Sequence, residues 1–174
     1  AEKVTKKYPE VLFGFLAYVQ YTRPPVREKL HPNLVPEIAP ITYCRAHSMT
    51  DATCPSRSVI RPIVEGWGKA ARMVSYYNYM FHLAEVAVPY PMMAQMSAEL
   101  PILYAHNVKF WQPETMPNFE SVLPGMYLSL RMAWNSAAKP SEILDDFFTR
   151  FYGAAAGPMR RYWQAFDDAW TKVP

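Results

Sequence analysis

A carboxylate at the end of a short apolar strand is the first feature of this sequence that could do chemistry. Residues 108–112 (VKFWQ) are rich in β-branched and aromatic side chains, which favours a strand, and Pro113 cannot donate to a strand ladder. We therefore expect the strand to end at Gln112, with Gln112 and Glu114 at its carboxyl end. Ligands bind at that end of the strands in barrels and open α/β sheets. Glu114 is accordingly the first candidate catalytic residue, the alternative being a solvated loop residue.

Aromatic and polar residues cluster near the ends of the other predicted strands. The strands are expected over residues 11–21 (VLFGFLAYVQY), 41–45 (ITYCR) and 73–80 (MVSYYNYM). Side chains near their ends could stack on a flat apolar face or hydrogen-bond to a ligand. The alternative for each of them is an ordinary core or surface position. The candidate ligand-binding residues are Tyr21, His47, Tyr77, Asn78, Tyr79, Trp111 and Gln112.

The order of predicted elements indicates an α/β fold. Four strands are separated by connections that carry helices or long proline-bearing loops, and residues 36–38 are expected to form no more than a weak turn. Helices alone follow residue 114. A complete (β/α)₈ barrel takes about 250 residues. The chain is therefore expected to be a single partial domain over 1–174, with half a barrel of about four parallel strands at 8–135 and C-terminal helices at 141–173; a smaller open sheet is the alternative.

Composition excludes some classes of function. The 174 residues are 51% apolar, and a net charge of +3 spread without a basic stripe gives no argument for nucleic acid. No apolar run is long enough to span a bilayer, so no membrane partner is expected. Residues 1–7 lack the apolar core of a signal peptide, which is compatible with a start inside a longer precursor. The aromatic share of 15% favours a carbohydrate-binding surface.

The two cysteines, Cys44 and Cys54, flank a polar loop of nine residues. A disulfide would stabilise the fold by about 2–3 kcal/mol in the chain-entropy model. Two reduced thiols are the second possibility. A metal site is the third and is disfavoured, since two ligands need one or two more and no second Cys-x-x-Cys is present, although His47 lies nearby. No metal and no cofactor are therefore expected.

Several runs of the sequence resemble a known family. They occur in order over most of the chain: FGFLAYVQYTRPP (13–25), CRAHSMTDATCP (44–55), GWGKAARMVSYYNYM (66–80), PYP (89–91) and DDFFTRFYGAAAGPMRRYW (145–163). Together they resemble a bacterial domain of uncharacterised function that is grouped with the glycoside-hydrolase-like TIM barrels, akin to the alpha-glucuronidase and beta-hexosaminidase barrels. The resemblance implies the C-terminal half of such a barrel, strands five to eight.

The resemblance also implies a secreted or periplasmic protein that acts on carbohydrate, which suits a disulfide between Cys44 and Cys54. Its partners would be a carbohydrate and either the N-terminal half of the barrel or a second copy. Relatives often have an acidic residue where this chain has Asn78. They also commonly carry an acid/base carboxylate at the end of the fourth strand, which would precede Ala1.

Glycoside hydrolysis usually needs two carboxylates, about 5–5.5 Å apart for retention and about 6.5–9.5 Å apart for inversion. Only Glu114 is predicted where such a group is expected, and Asp51 and Glu120 are weaker loop candidates. The expected function is therefore part of a glycoside hydrolase, with one acid carboxylate here and the other outside this chain. The alternatives are a carbohydrate-binding module without catalysis and a structural or assembly piece.

Overall fold

The computed structural model describes residues 1–82, 84 and 86–173. Four strands form one sheet in the order β1-β2-β3-β4, and every neighbouring pair is parallel. The strands are β1 (Phe13–Tyr18), β2 (Leu34–Ala39), β3 (Val74–Tyr79) and β4 (Val108–Glu114). The helices are α1 (Glu2–Thr5), α2 (Ile60–Ala70), α3 (Met93–Ala105), α4 (Leu123–Trp134), α5 (Pro140–Tyr152) and α6 (Ala156–Trp170). Within the described residues, every helix is too short or too polar to cross a bilayer.

The predicted fold class is confirmed. The structure is mixed α/β, with an all-parallel sheet of four strands and helices that include the C-terminal ones, an arrangement consistent with half of a (β/α)₈ barrel. Helices α2 and α3 join successive strands, as a parallel sheet requires, whereas β1 is joined to β2 by a long loop.

The second strand was predicted in the wrong place. Residues 41–45 form turns and bends, and the strand is instead Leu34–Ala39, which contains the segment expected to be a weak turn. A proline normally argues against a central strand. Here the ladder with β3 is short and begins after Pro36, with Glu37 opposite Ser75, so the missing N–H lies outside that ladder. The chain then turns sharply at Pro40, where the Ile41 amide donates to the Ala39 carbonyl.

The fourth strand ends at Glu114 rather than at Gln112. The amide of Met80 donates to the carbonyl of Glu114 at 2.8 Å, so the Glu114 backbone faces β3. Successive residues of a strand direct their backbone groups to opposite sides, so the nitrogen of Pro113 faces the outer edge of β4. A proline is tolerated at such an edge because it interrupts no existing ladder.

The core lies on one face of the sheet. Side chains of β2 and β3 that point to this face, Ile38 and Tyr76, pack against α2 through Ile63 and Trp67. A second cluster joins the sheet to α3, α4 and α5 through Met80, Met96, Leu100, Leu128, Met132 and Ile143. Helix α6 is tied to the start of α3 by the buried carboxylate of Asp167, which accepts the amides of Met93 and Ala94 at 2.9 Å each.

The opposite face of the sheet, which we call the inner face, is lined by alternate residues of the four strands. These are Gly14, Leu16 and Tyr18; Val35, Glu37 and Ala39; Ser75, Tyr77 and Tyr79; and Phe110, Gln112 and Glu114. Part of it forms an open groove of about 690 Å³. Leu16 is 53% exposed and Phe110 46% exposed, so the described chain leaves this face uncovered. All-parallel sheets are normally covered on both faces, whereas the described residues cover only one face of this sheet.

A buried ion pair fixes the long loop between β2 and α2. Arg57 is 2% exposed and Glu99 of α3 is fully buried. Two guanidinium nitrogens of Arg57 donate to the carboxylate at 3.1 and 2.6 Å, and the amide of Met49 donates to it at 2.7 Å. The side-chain amide of Gln95 donates at 3.3 Å. The carboxylate therefore has four hydrogen-bond donors in place of water.

Replacing Glu99 by glutamine should destabilise the protein strongly. The substitution keeps the shape of the side chain but leaves the guanidinium of Arg57 buried without a counter-charge, which costs about 3–5 kcal/mol. Urea unfolding followed by far-ultraviolet circular dichroism measures the loss. Glu142→Gln is the matched control, because Glu142 pairs with Lys139 at 2.8 Å on the surface, and its midpoint should not change. Equal midpoints for Glu99→Gln and the unmodified protein would contradict this role.

Candidate functional site

The carboxyl ends of the strands meet at one edge of the sheet, which we call the rim. Tyr79 of β3 lies opposite Glu114 of β4 in the ladder, and Tyr77 lies opposite Gln112. The rings of Tyr77 and Tyr79 are 5.1 Å apart. Tyr79 packs with Ala39 and with the partly buried Tyr18, so three strands contribute to one aromatic cluster. In the part of the chain that the structure describes, three tyrosines and one carboxylate therefore lie together at the rim.

Two of the tyrosines at the rim, Tyr77 and Tyr79, have raised pKa values. Burial raises the pKa of Tyr77, and the charge of Glu114 and a hydrogen bond to its carboxylate raise that pKa further. Burial, followed by the neighbouring Tyr18 and Glu114, raises the pKa of Tyr79 to about 12. At neutral pH both phenols keep their protons, so they can donate hydrogen bonds to a carboxylate or to a ligand hydroxyl.

Arg45 places a cation beside this cluster. Its guanidinium lies 4.8 Å from the ring centre of Tyr79 and 4.8 Å from that of Phe81. It donates to the carbonyls of Phe81 at 3.2 Å and Ile41 at 3.4 Å. Burial lowers the pKa of Arg45, whereas Tyr90, Tyr79 and Glu114 act in the opposite direction. The rim therefore combines a carboxylate, neutral phenols and a largely buried cation.

Sequence reasoning missed Arg45 as a site residue, because residues 41–45 were predicted to be a strand. In the structure Arg45 belongs to the loop after β2, and the hydroxyl of Tyr90 donates to its carbonyl. The sequence does carry a signal for Arg45, because it is an arginine within the largely apolar segment 41–46. An arginine buried in such a segment must be paired with specific partners, which marks it as a candidate site residue.

Sequence reasoning also missed a second carboxylate on the inner face. Glu37 of β2 accepts a hydrogen bond from the hydroxyl of Ser75 at 2.8 Å. Glu37 lies opposite Ser75, which lies opposite Phe110, four residues before Glu114. The two glutamates are thus offset by about 13 Å along the strands and about 10 Å across them. Because Ser75 holds the Glu37 carboxylate in its own layer, this residue does not form a catalytic pair with Glu114 at the spacing that glycoside hydrolysis requires.

Two of the predicted ligand-binding residues face the helices. Asn78 is 2% exposed, and its amide donates to the sulfur of Met96 at 3.8 Å. The ring of Trp111 stacks on Tyr76 with centres 5.8 Å apart and planes at 6°. Both side chains therefore lie on the helix-covered face of the sheet and not on the inner face. Gln112, in contrast, lines the groove on the inner face.

The remaining candidates lie in connecting segments. Tyr21 ends a 3₁₀ turn that directly follows β1, and it is 79% exposed. The carboxylate of Asp51 accepts from the amide and the hydroxyl of Thr53 at 2.8 and 2.6 Å, which closes a local turn. Glu120 is exposed on the 3₁₀ turn before α4. Of these three residues, Tyr21 is the one that directly follows the carboxyl end of a strand. Its exposed side chain can therefore contact a ligand at the rim.

His47 lies in the same loop as Arg45 but contacts a cysteine. Its Nδ1 is 3.3 Å from the sulfur of Cys44. Cys44 and Cys54 are both free thiols in the structure, and the expected disulfide between them stays a prediction. Burial raises the pKa of the Cys44 thiol, but hydrogen bonds from His47, Ala46 and Cys54 outweigh burial and leave that pKa below its ordinary value.

Comparison with known families assigns the chain. A family model described as a domain of unknown function (DUF4838) matches residues 1–165, and the chain belongs to this family. Searches of the curated proteins and of the solved structures gave no match.

Replacing Glu114 by glutamine should lower the pKa of Tyr77. The substitution removes a negative charge that disfavours the phenolate, so Tyr77 should ionise at a lower pH. Titration of ¹³Cζ-labelled tyrosine by NMR measures the change. Glu37→Gln should give a smaller decrease, because Glu37 contributes least to the raised pKa, and Tyr127, whose raised pKa depends on burial and Asp146, should not move. Equal decreases in the two variants would contradict the placement of Glu114.

Proposed function

We propose that this member of the DUF4838 family is part of a glycoside-hydrolase-like barrel that acts on a polysaccharide or glycoside, with Glu114 as the one acid carboxylate contributed by this chain. The observation that carries the proposal is the position of Glu114 at the carboxyl end of β4, opposite Tyr79 and close enough to Tyr77 for its charge to raise the pKa of that phenol. In barrel enzymes, catalytic residues come from this end of the strands.

The chemistry of the rim suits a sugar. Aromatic rings give flat apolar surfaces for the C–H faces of a pyranose ring, and neutral phenols donate to hydroxyl oxygens. Tyr77 and Tyr79 supply both properties, and Arg45 adds donors at one side. Glu114 would protonate the oxygen of the leaving group, since one carboxylate of the pair has that role in glycoside hydrolysis.

The second carboxylate would come from outside these 174 residues. Glu37 is too far along the sheet, and Asp51 is engaged in a turn with Thr53. The uncovered inner face supports a missing partner, because four further βα units would close a barrel over Leu16 and Phe110. The N-terminal half of such a barrel is the partner we propose, with a second copy of the chain as the alternative.

A role in carbohydrate binding without catalysis is the second candidate. It is favoured by the imbalance at the rim, where, among the described residues, three tyrosines accompany a single carboxylate. The uncovered inner face likewise favours a structural or assembly role. The resemblance to secreted barrels supports location outside the cytoplasm, either secreted or periplasmic.

Glu114→Gln should reduce glycosidase activity of the complete protein that contains this chain. Removing the proton donor should lower kcat by about 10²–10⁴-fold on natural glycosides, because general acid catalysis contributes that factor. Hydrolysis of a panel of glycosides and aryl glycosides measures the loss. Glu142→Gln is the matched control, since Glu142 is exposed at the start of α5, where it pairs with Lys139, and it should leave kcat unchanged.

Three outcomes distinguish the candidates. Activity of the isolated 174 residues that is abolished by Glu114→Gln would disprove the need for a second half. Glycan binding without hydrolysis in the complete protein would establish the non-catalytic alternative. If the complete protein neither binds nor hydrolyses any member of a glycan panel, the carbohydrate assignment is overturned.

A further inference from the structure

A second cluster of reactive side chains lies in the loop of residues 40–59, between β2 and α2. The sulfurs of Cys44 and Cys54 and a ring nitrogen of His47 all lie within 4.8 Å of one another. The proposed reaction at the rim uses none of the three. We propose that Cys44, His47 and Cys54 together bind one divalent ion of the zinc class.

The donor set matches this class of ion. Thiolate sulfur and imidazole nitrogen are the ligands that zinc prefers, whereas calcium and magnesium take oxygen ligands. With Zn–S bonds of about 2.3 Å and Zn–N bonds of about 2.0 Å, the ligand atoms of a tetrahedral site lie about 3.5–3.8 Å apart. Cys44 Sγ lies 3.3 Å from His47 Nδ1, and all three ligand atoms lie within 4.8 Å of one another. Small rotations of the side chains are enough to bring these distances into the range of a tetrahedral site.

The loop holds the three ligands in place before any ion binds. The amide of Cys44 donates to the hydroxyl of Ser56 at 2.8 Å. Arg57 contacts both cysteines: its guanidinium donates to the carbonyl of Cys44 at 3.4 Å, and its amide donates to the sulfur of Cys54 at 3.3 Å. A donor to a ligand sulfur stabilises the thiolate and orients it toward the metal. Since Arg57 is itself fixed by Glu99, the ligands are held by a rigid anchor.

The site has an open side. Cys44 and His47 line a pocket of about 350 Å³, with His82 also in its wall. The Nδ1 atom of His82 is buried and has no hydrogen-bond partner among the described residues. Two sulfurs and one imidazole leave a fourth position for water or a ligand, which is the pattern of zinc sites that do chemistry rather than only stabilise a fold.

A disulfide between Cys44 and Cys54 is the competing arrangement. It would use the same two sulfurs, but it would leave the imidazole of His47 with no thiol to contact. The metal site engages all three side chains, and binding would release the thiol protons of both cysteines as the ligands become thiolates. Metal binding by these three side chains does not depend on the activity proposed for the rim.

Cobalt(II) titration of the reduced, chelator-treated protein tests the proposal. One equivalent should produce sulfur-to-cobalt charge-transfer absorption in the near ultraviolet and the intense visible bands of a tetrahedral site, and zinc should displace it. Cys44→Ser should lose charge-transfer intensity. His47→Gln should keep part of that absorption but bind cobalt more than about 10-fold more weakly. Even the loss of a residue that only hydrogen-bonds to a ligand lowers the metal affinity of a site by about 10–100-fold.

His106→Gln is the matched control, because His106 lies at the end of α3 beside Glu65 and should not affect cobalt binding. Circular dichroism shows whether each variant is folded. Zinc should also protect the two thiols from oxidation by air, measured as the rate of disulfide formation by mass spectrometry. The proposal is overturned if cobalt gives no charge-transfer absorption, if Cys44→Ser or His47→Gln binds it as tightly as the unmodified protein does, or if zinc leaves the oxidation rate unchanged.

Discussion

Arg57 and Glu99 meet between the loop after β2 and helix α3, where neither side chain reaches solvent. Burying two charges costs several kcal/mol per ion, and their attraction repays this only when the geometry is good and the remaining polar atoms are satisfied. Glu99 meets that condition, because it also accepts the amide of Met49 and the side chain of Gln95. The pair therefore ties a loop of some twenty residues to helix α3, in addition to the core packing of Met49.

That loop matters because it supplies groups that the strands cannot. The strands deliver Tyr77, Tyr79 and Glu114 to the rim by simple alternation, while Arg45 reaches the same rim only from the loop. On the other side of the sheet, the helices bury the face that carries Asn78 and Trp111. Within the described residues, the result is a parallel sheet with one covered face and one uncovered face.

The sequence predicts the parts of this arrangement that depend on local pattern. The apolar runs around β1, β3 and β4 identify those strands, and Glu114 follows from the end of its run. Successive side chains of a strand point to opposite faces of the sheet. This alternation alone predicts that Tyr77 and Tyr79 lie on the face opposite to Asn78, and Gln112 on the face opposite to Trp111.

What depends on distant parts of the chain was not predictable. Strand β2 was missed because Pro36 and Glu37 are unusual in a central strand, and their tolerance depends on a ladder that begins only after the proline. The pairing of Arg57 with Glu99, 42 residues later, leaves no local pattern. Neither does the approach of Cys54 to Cys44 and His47, which requires the loop to fold back on itself.

Cys44 and Arg45 are adjacent in the chain, and this connects the two sites. The side chain of Cys44 turns toward His47, whereas that of Arg45 lies between the rings of Tyr79 and Phe81. The backbone between them is held on both sides, by Arg57 at the carbonyl of Cys44 and by Tyr90 at the carbonyl of Arg45. A change that displaces the Cys44 backbone must therefore strain these contacts or move the guanidinium at the rim.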